Sequence, residues 1–239
     1  MEKIDKNIVI ILASGSGSRF GACLPKQYCN LGGRPLLMRT IDRFAEVIPA
    51  ENILIVIDRA MEGLWKSLCE KERFASPRVT FGGNTRTESL AKALSALAHC
   101  PDDTIVMIHD GARPLVSKDL IHRMASIPEG YEGAVPAVPV TDTLRHIEAD
   151  GDSATVARSE YVAVQTPQSF TIGTLRKSFA DYSRHSVTDD ATMVQNVTGG
   201  KIALIDGEHG NIKVTNPIDM AIAEALLNLS QTTEDRPHC

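Results

Sequence analysis

The chain has 239 residues, 43% of them hydrophobic and 23% charged, with a formal net charge of −5 at pH 7. That length suits one sizeable α/β domain with a well-buried core rather than two full domains, since domains commonly run to ~100–250 residues. The negative balance gives no general reason to expect nucleic acid or an anionic membrane as partner, so any anion site has to be built locally.

The cysteines (Cys23, Cys29, Cys69, Cys100, Cys239) form no Cys-x-x-Cys pair and join no histidine grouping at zinc spacing. They read as free thiols, which fits a reducing cytoplasm. Glu2, Lys3, Asp5 and Lys6 precede an apolar run too short for the core of a signal peptide, and nothing later reaches membrane-spanning length. The expectation is a soluble, unexported, cytoplasmic protein.

The run Ile8-Val-Ile-Ile-Leu-Ala13 predicts a strand buried on both faces. Ser14-Gly15-Ser16-Gly17-Ser18-Arg19 follows, and its glycines let backbone N–H groups turn toward an anion. An ordinary strand-to-loop turn asks for the same glycines. What favours a phosphate cradle is Arg19 with Lys26 just beyond it, two cations able to hold a polyphosphate. The spacing excludes a Walker loop, and the third glycine of a dinucleotide loop is replaced by Phe20.

Helical spacing of Leu36, Leu37, Ile41, Phe44 and Ala45 predicts an amphipathic helix over 35–47, and Ile53–Ile57 a second buried strand, together a right-handed parallel unit. A helix over 63–74 with Trp65 in the core and a short strand over 79–81 lead into Gly82-Gly83-Asn84-Thr85-Arg86. Thr85 and Glu88 have capping-box spacing for a helix over 86–99. A capped helix explains this second glycine loop on structural grounds alone, while its place at the carboxyl end of a parallel strand suits a ligand.

A third strand, 104–108, runs into His109-Asp110-Gly111-Ala112-Arg113-Pro114. Asp110 and Arg113 form either a local ion pair or a site in which Asp110 holds a ribose and a divalent cation while Arg113 supports the loop or ligand. Magnesium on a triphosphate needs few protein ligands, so a dense carboxylate cluster is not required. Gly133–Pro139 predicts another strand, and 140–160, centred on Asp150-Gly151, a β-hairpin standing off the sheet that needs a partner to be stable. Strand 161–165, a turn at Pro167, a helix over 172–182, a cap at Thr188-Asp189-Asp190 and a helix opened by Asn216-Pro217 complete the pattern. From Ser230 onward the composition predicts a mobile tail.

Five of these stretches resemble one family. Gly15-x-Gly17-x-Arg19 with Pro25-Lys26-Gln27-Tyr28, the Gly82-Gly83 loop with Ser89, His109-Asp110-x-Ala112-Arg113-Pro114, Thr166-Pro167-Gln168 and Asn211-Ile212-Lys213-Val214-Thr215 are similar to the nucleotidyltransferases that join CTP to methylerythritol phosphate. The resemblance implies a Rossmann-like, mostly parallel twisted sheet flanked by helices with a protruding β-hairpin arm, one domain over 1–229 and a homodimer interlocked through the arm at 140–160. It implies nucleotide binding at Ala13, Ser14, Gly15, Gly17, Gly82, Gly83, Ser89 and Asp110, and phosphate chemistry at Arg19, Lys26 and Lys213. Acceptor contacts fall to Arg113, Thr143, Arg158, Thr166 and Thr188, with Thr143 and Arg158 reaching the neighbouring subunit's substrate, and magnesium rides largely on the CTP phosphates beside Asp110. Ser14 departs from the family's usual alanine or glycine, and Asn84 from its common acid.

A relative acting on ribitol 5-phosphate is the nearest alternative. Ala112 and the Asn211–Thr215 stretch favour methylerythritol phosphate. From other classes, a nicotinamide-dependent oxidoreductase would use Asp58 at the end of the second strand, but the chain lacks its loop, and against a non-catalytic CTP sensor Lys26 and Lys213 argue mildly.

Overall fold

The computed structural model describes residues 4–15, 24–181 and 189–234. In chain order they form β1 (Ile8–Ala13), β2 (Asn30–Leu31), β3 (Arg34–Pro35), α1 (Leu36–Ala45), β4 (Ile53–Ile57), α2 (Glu62–Lys71), β5 (Arg78–Phe81) and α3 (Arg86–Ala96). Then come β6 (Ile105–Asp110), α4 (Lys118–Arg123), β7 (Gly133–Pro139), β8 (Arg145–Ile147), β9 (Ser153–Thr155), β10 (Val162–Val164), β11 (Gln168–Thr171), α5 (Ile172–Asp181), α6 (Asp190–Thr198), β12 (Ile202–Asp206) and α7 (Pro217–Glu234).

One sheet organises them. β1 lies between β4 and β6, parallel to both, and β5 continues beyond β4 in the same direction. β11 pairs antiparallel with both β6 and β7, β10 antiparallel with β7, and β12 parallel with β7. The apolar run of β1 divides by strand periodicity. Val9 and Ile11 pack with Ile53, Ile55 and Ile57 against α1, Trp65 of α2 and α4, while Ile8 and Ile10 pack with Leu54, Val56, Val106 and Ile108 against α3, α5 and α6. Helices on both faces explain why these strands read as unbroken apolar runs.

β8 and β9 form a separate two-stranded sheet, paired Arg145 to Thr155 and Ile147 to Ser153, the arm expected off the main sheet. Helix α3 stops at Ala96, short of His99, because Leu97 folds out of helical geometry into a turn. β6 runs two residues past Ile108 and takes His109 and Asp110 into the sheet, where they pair with Ile11 and Leu12. β12 was not anticipated: an edge strand of five residues that buries Ala203 and leaves Leu204 exposed carries too little pattern to stand out. α7 continues to Glu234, past Ser230. Among the described residues no helix is long and apolar enough to cross a membrane.

Candidate active site

Because β1, β4 and β6 are parallel, their carboxyl ends meet at one edge of the sheet, where open α/β sheets bind ligands. A cleft of about 600 Å³ opens there, walled by Ala13, Ser14 and Gly15 after β1, by Lys26 and Gln27, by 83–86 with Ser89, by Asp110, Gly111 and Ala112 after β6, and by Lys213 and Thr215.

Each wall has a local cause. Lys26 and Gln27 open a short 3-10 turn, and the buried Gln27 amide donates to the carbonyls of Ala13 (2.8 Å) and Gly15 (2.9 Å). The turn that brings Lys26 to the cleft therefore also holds the strand exit in place. On the second wall Gly82 N–H donates to Ile57 O, and a Cβ at Gly82 would lie 2.4 Å from Ser14 Cβ. At Gly83 a Cβ would meet Glu88 Cβ at the same distance, so neither position admits a side chain without a shift. Ser89 Oγ accepts from Gly83 N–H, donates to Thr85 O and sits 3.0 Å from Ser14 Oγ. With the Ser89 proton committed, Ser14 is the donor of that last bond. Ser14 thus ties the first loop to the second. Thr85 Oγ1 accepts from Glu88 N–H as expected of a cap, but the Glu88 carboxylate reaches back to Asn84 N–H rather than to the cap residue.

The floor is a charge cluster around Asp110. Arg86 Nη1 meets Oδ1 at 2.7 Å and Lys213 Nζ meets Oδ2 at 2.8 Å, while Arg113 Nε stands 3.6 Å from Oδ2, an ion pair without a hydrogen bond. Burial alone would raise the Asp110 carboxyl, but Arg86, Lys213 and Arg113 outweigh it and hold it well below the usual carboxylate range, so it is ionised. Behind it, Asp110 N–H donates to Thr166 Oγ1, which contacts His109 Nδ1, and His109 Nε2 lies 3.1 Å from Arg113 O. The carbonyl can only accept, so Nε2 carries the proton and Thr166 donates to Nδ1. Burial pushes the His109 imidazole down to about 4, keeping it neutral.

The expected site residues divide on this geometry. Ala13, Ser14, Gly15, Lys26, Gly83, Ser89, Asp110 and Lys213 line the cleft, with Gly82 directly behind Ser14. Arg113 and Thr166 do not reach it. Arg113 donates to Asn211 O and thereby docks the 208–214 segment, and the buried Thr166 accepts from Asp110 N–H, so both support the wall from behind. Thr143 and Arg158 lie exposed on the arm side, where Arg158 donates to Thr141 O at 2.6 Å. Gly17, Arg19 and Thr188 lie outside the described residues. Arg86, Gln27 and Asp190 went unassigned by sequence reasoning: Arg86 read as the first helical residue after a cap, and Gln27 as part of a motif without a role.

The sequence model of the family described as 2-C-methyl-D-erythritol 4-phosphate cytidylyltransferase matches residues 7–229. The chain belongs to this family. A cytidylyltransferase of that description from Bacteroides thetaiotaomicron is 40% identical over 223 residues, covering 93% of this chain and all of the relative. The crystal structure of 4-diphosphocytidyl-2C-methyl-D-erythritol synthase from Anaerococcus prevotii superposes with a TM-score of 0.78 at 29% identity, covering 95% of this chain and 99% of that one. A bifunctional ribulose 5-phosphate reductase/CDP-ribitol pyrophosphorylase from Haemophilus influenzae is 33% identical over 228 residues, 93% of this chain and 48% of the relative. Membership in this cytidylyltransferase family makes the chain a nucleotidyltransferase and removes the oxidoreductase reading.

Proposed function

We propose that the protein joins CTP and 2-C-methyl-D-erythritol 4-phosphate to give CDP-methylerythritol and pyrophosphate, a step in isoprenoid precursor synthesis, through one domain over 1–229. The observation that carries this reading is a cleft wall in which Lys26, Arg86 and Lys213 stand beside the backbone turns at Gly15 and Gly83, within a chain of this family. Two polyanions must meet, so positioning and charge neutralisation are the main demands on the site. An oxygen of the acceptor phosphate attacks the α-phosphorus of CTP in line, and the bond to pyrophosphate breaks. Lys26 and Lys213, with Arg19, take up the negative charge that builds there. Gly82, Gly83 and Ser89 shape the place for the base, Asp110 that for the ribose.

Among the described residues no group of three or more His, Cys, Asp or Glu side chains could cage a metal ion. Asp110, an ionised carboxylate on the cleft wall, fits a magnesium ion that brings most of its ligands as phosphate oxygens and water. Bound there, the ion would neutralise the departing pyrophosphate.

The arm supports a homodimer. Ile147 is 76% exposed near its tip, and Val162 and Val164 of β10, with Tyr161 just before them, are exposed at the edge of the main sheet. A second copy covering these residues would bring Thr143 and Arg158 to its neighbour's acceptor phosphate. The cytoplasm is where such a pathway enzyme would work.

Pyrophosphate release from CTP and Mg²⁺ with methylerythritol phosphate, with ribitol 5-phosphate and with no acceptor tests the reading. Release with methylerythritol phosphate alone is expected. Release only with ribitol 5-phosphate would keep the chemistry and replace the acceptor, and release with neither would leave a nucleotide-binding protein.

A further inference from the structure

Asp110 is held by two kinds of cation. Lys213 is 45% exposed on a flexible stem, and a phosphate in the cleft competes for it. Arg86 is different. Its guanidinium splits between two carboxylates that belong to different elements, Nη1 to Asp110 Oδ1 at the end of β6 and Nη2 to Asp190 Oδ2 in the first turn of α6, both at 2.7 Å. Each carboxylate is more than nine-tenths buried, and the two side chains are 9% and 5% exposed. Asp190 is itself anchored, because Asp189 caps α6 by accepting from Thr192 N–H and the helix buries Ala191, Met193 and Val194 in the core. When Lys213 turns to a phosphate, Arg86 remains on Asp110, and Asp190 fixes the direction from which it comes.

Resting on the proposed reading, we infer that Arg86 is a positioning residue for nucleotide binding: bridging Asp110 to Asp190, it holds the Asp110 carboxylate in the orientation that CTP with its metal requires. The bridge needs a planar fork. A lysine at 86 keeps the charge, but a single ammonium cannot present two separated nitrogens to two carboxylates. Asp190 is not part of the cleft wall, and its hydrogen bond toward the cleft runs to Arg86. A residue that merely stabilised the fold would weaken both substrates alike; this one weakens CTP selectively.

The test is calorimetric titration of CTP with Mg²⁺ into the intact protein and its Arg86→Lys and Asp190→Asn variants, with thermal unfolding of each and the KM for methylerythritol phosphate at saturating CTP. Wild type is expected to bind CTP. Arg86→Lys is expected to bind it at least ~10-fold more weakly, the scale of losing a charge-assisted hydrogen bond. Asp190→Asn, nearly isosteric, is expected to lose about 3-fold, the scale of coupling through one intermediate. The acceptor KM should stay within about 2-fold in both. If Arg86→Lys does not fold, Asp190→Asn alone decides. CTP affinity unchanged in Asp190→Asn, or a parallel loss of both substrates, would overturn the inference. A wild type that does not bind CTP would overturn the functional reading, and this inference with it.

Discussion

The cleft floor and the arm are both polar, turn-rich segments, yet they are held in opposite ways. Asp110 has each carboxylate oxygen matched to cations from other elements, with Thr166, His109 and Asn211 in a buried hydrogen-bonded layer behind it. The arm is held by itself: Arg145 bonds across to Ser153 and Thr155 on an exposed two-stranded ladder, and Ile147 has no cover. A two-stranded ribbon alone is marginal in water. The floor is therefore set by one chain, whereas in the proposed homodimer the arm would take its support from a second one. Substitutions in the two places should differ in kind: concentration-independent in the floor, concentration-dependent in the arm.

The largest effect is expected at the cleft. Lys26→Ala should lower turnover at least ~10²-fold, the scale of one oriented electrostatic stabiliser, while Gln27 still pins the turn. Stopped assays at several enzyme concentrations check it; near-normal turnover would break the assignment of charge neutralisation to this lysine.

In the arm, Ile147→Glu should shift the protein toward monomer in light scattering, with activity that falls on dilution. Arg158→Ala should raise the acceptor KM on the order of 10-fold and leave the CTP KM unchanged, as expected for loss of a charged hydrogen bond to a phosphate. A dilution-independent Ile147→Glu enzyme would put the arm on the same footing as the floor and dissolve the comparison.

These two regions were also unequally legible in sequence. Ile8–Ala13 and Ile53–Ile57 announce buried parallel strands, and the residues that face the cleft from the loop tips, Ser14, Lys26, Gly83 and Lys213, sit in motifs whose chemistry is local. The buried layer behind them is not local. Arg86 meets Asp110 across 24 positions and Asp190 across 104, and a single sequence carries no signal for such pairings. Arg113 and Thr166 show the same limit: their motifs mark the right place but not that their side chains bond to Asn211 and to Asp110 N–H in the layer behind the cleft. β12 was missed because an edge strand half-buried by one neighbour shows almost no periodicity.

A smaller effect separates the floor by pH. His109 is neutral and buried, facing Asp110, Arg113 and Arg86, with a folded value of about 4 against 6.5 when unfolded. A base lowered by folding binds more protons when unfolded, so its contribution to stability is complete above about pH 6.5 and is lost as pH falls toward 4. Urea unfolding should show up to ~1.4 kcal/mol lost per pH unit in that window. Asp110, lowered in the fold, adds its own loss only further down, below the ordinary carboxylate range. His109→Gln should flatten the upper window and leave the lower one.

The smallest effects come from two threonines. Thr85 caps α3 beside the cleft by accepting from Glu88 N–H, and its hydroxyl has no replacement if lost, because Glu88 is committed to Asn84. Thr85→Ala should cost about 1 kcal/mol. Thr155 on the arm accepts from Arg145, whose guanidinium keeps Ser153 as partner and faces water. Thr155→Ala should stay within about 0.5 kcal/mol. Equal costs, measured by urea unfolding under conditions that keep the protein monomeric, would mean that the arm is ordered by its own chain as firmly as the floor, and the need for a second copy would lose its physical basis.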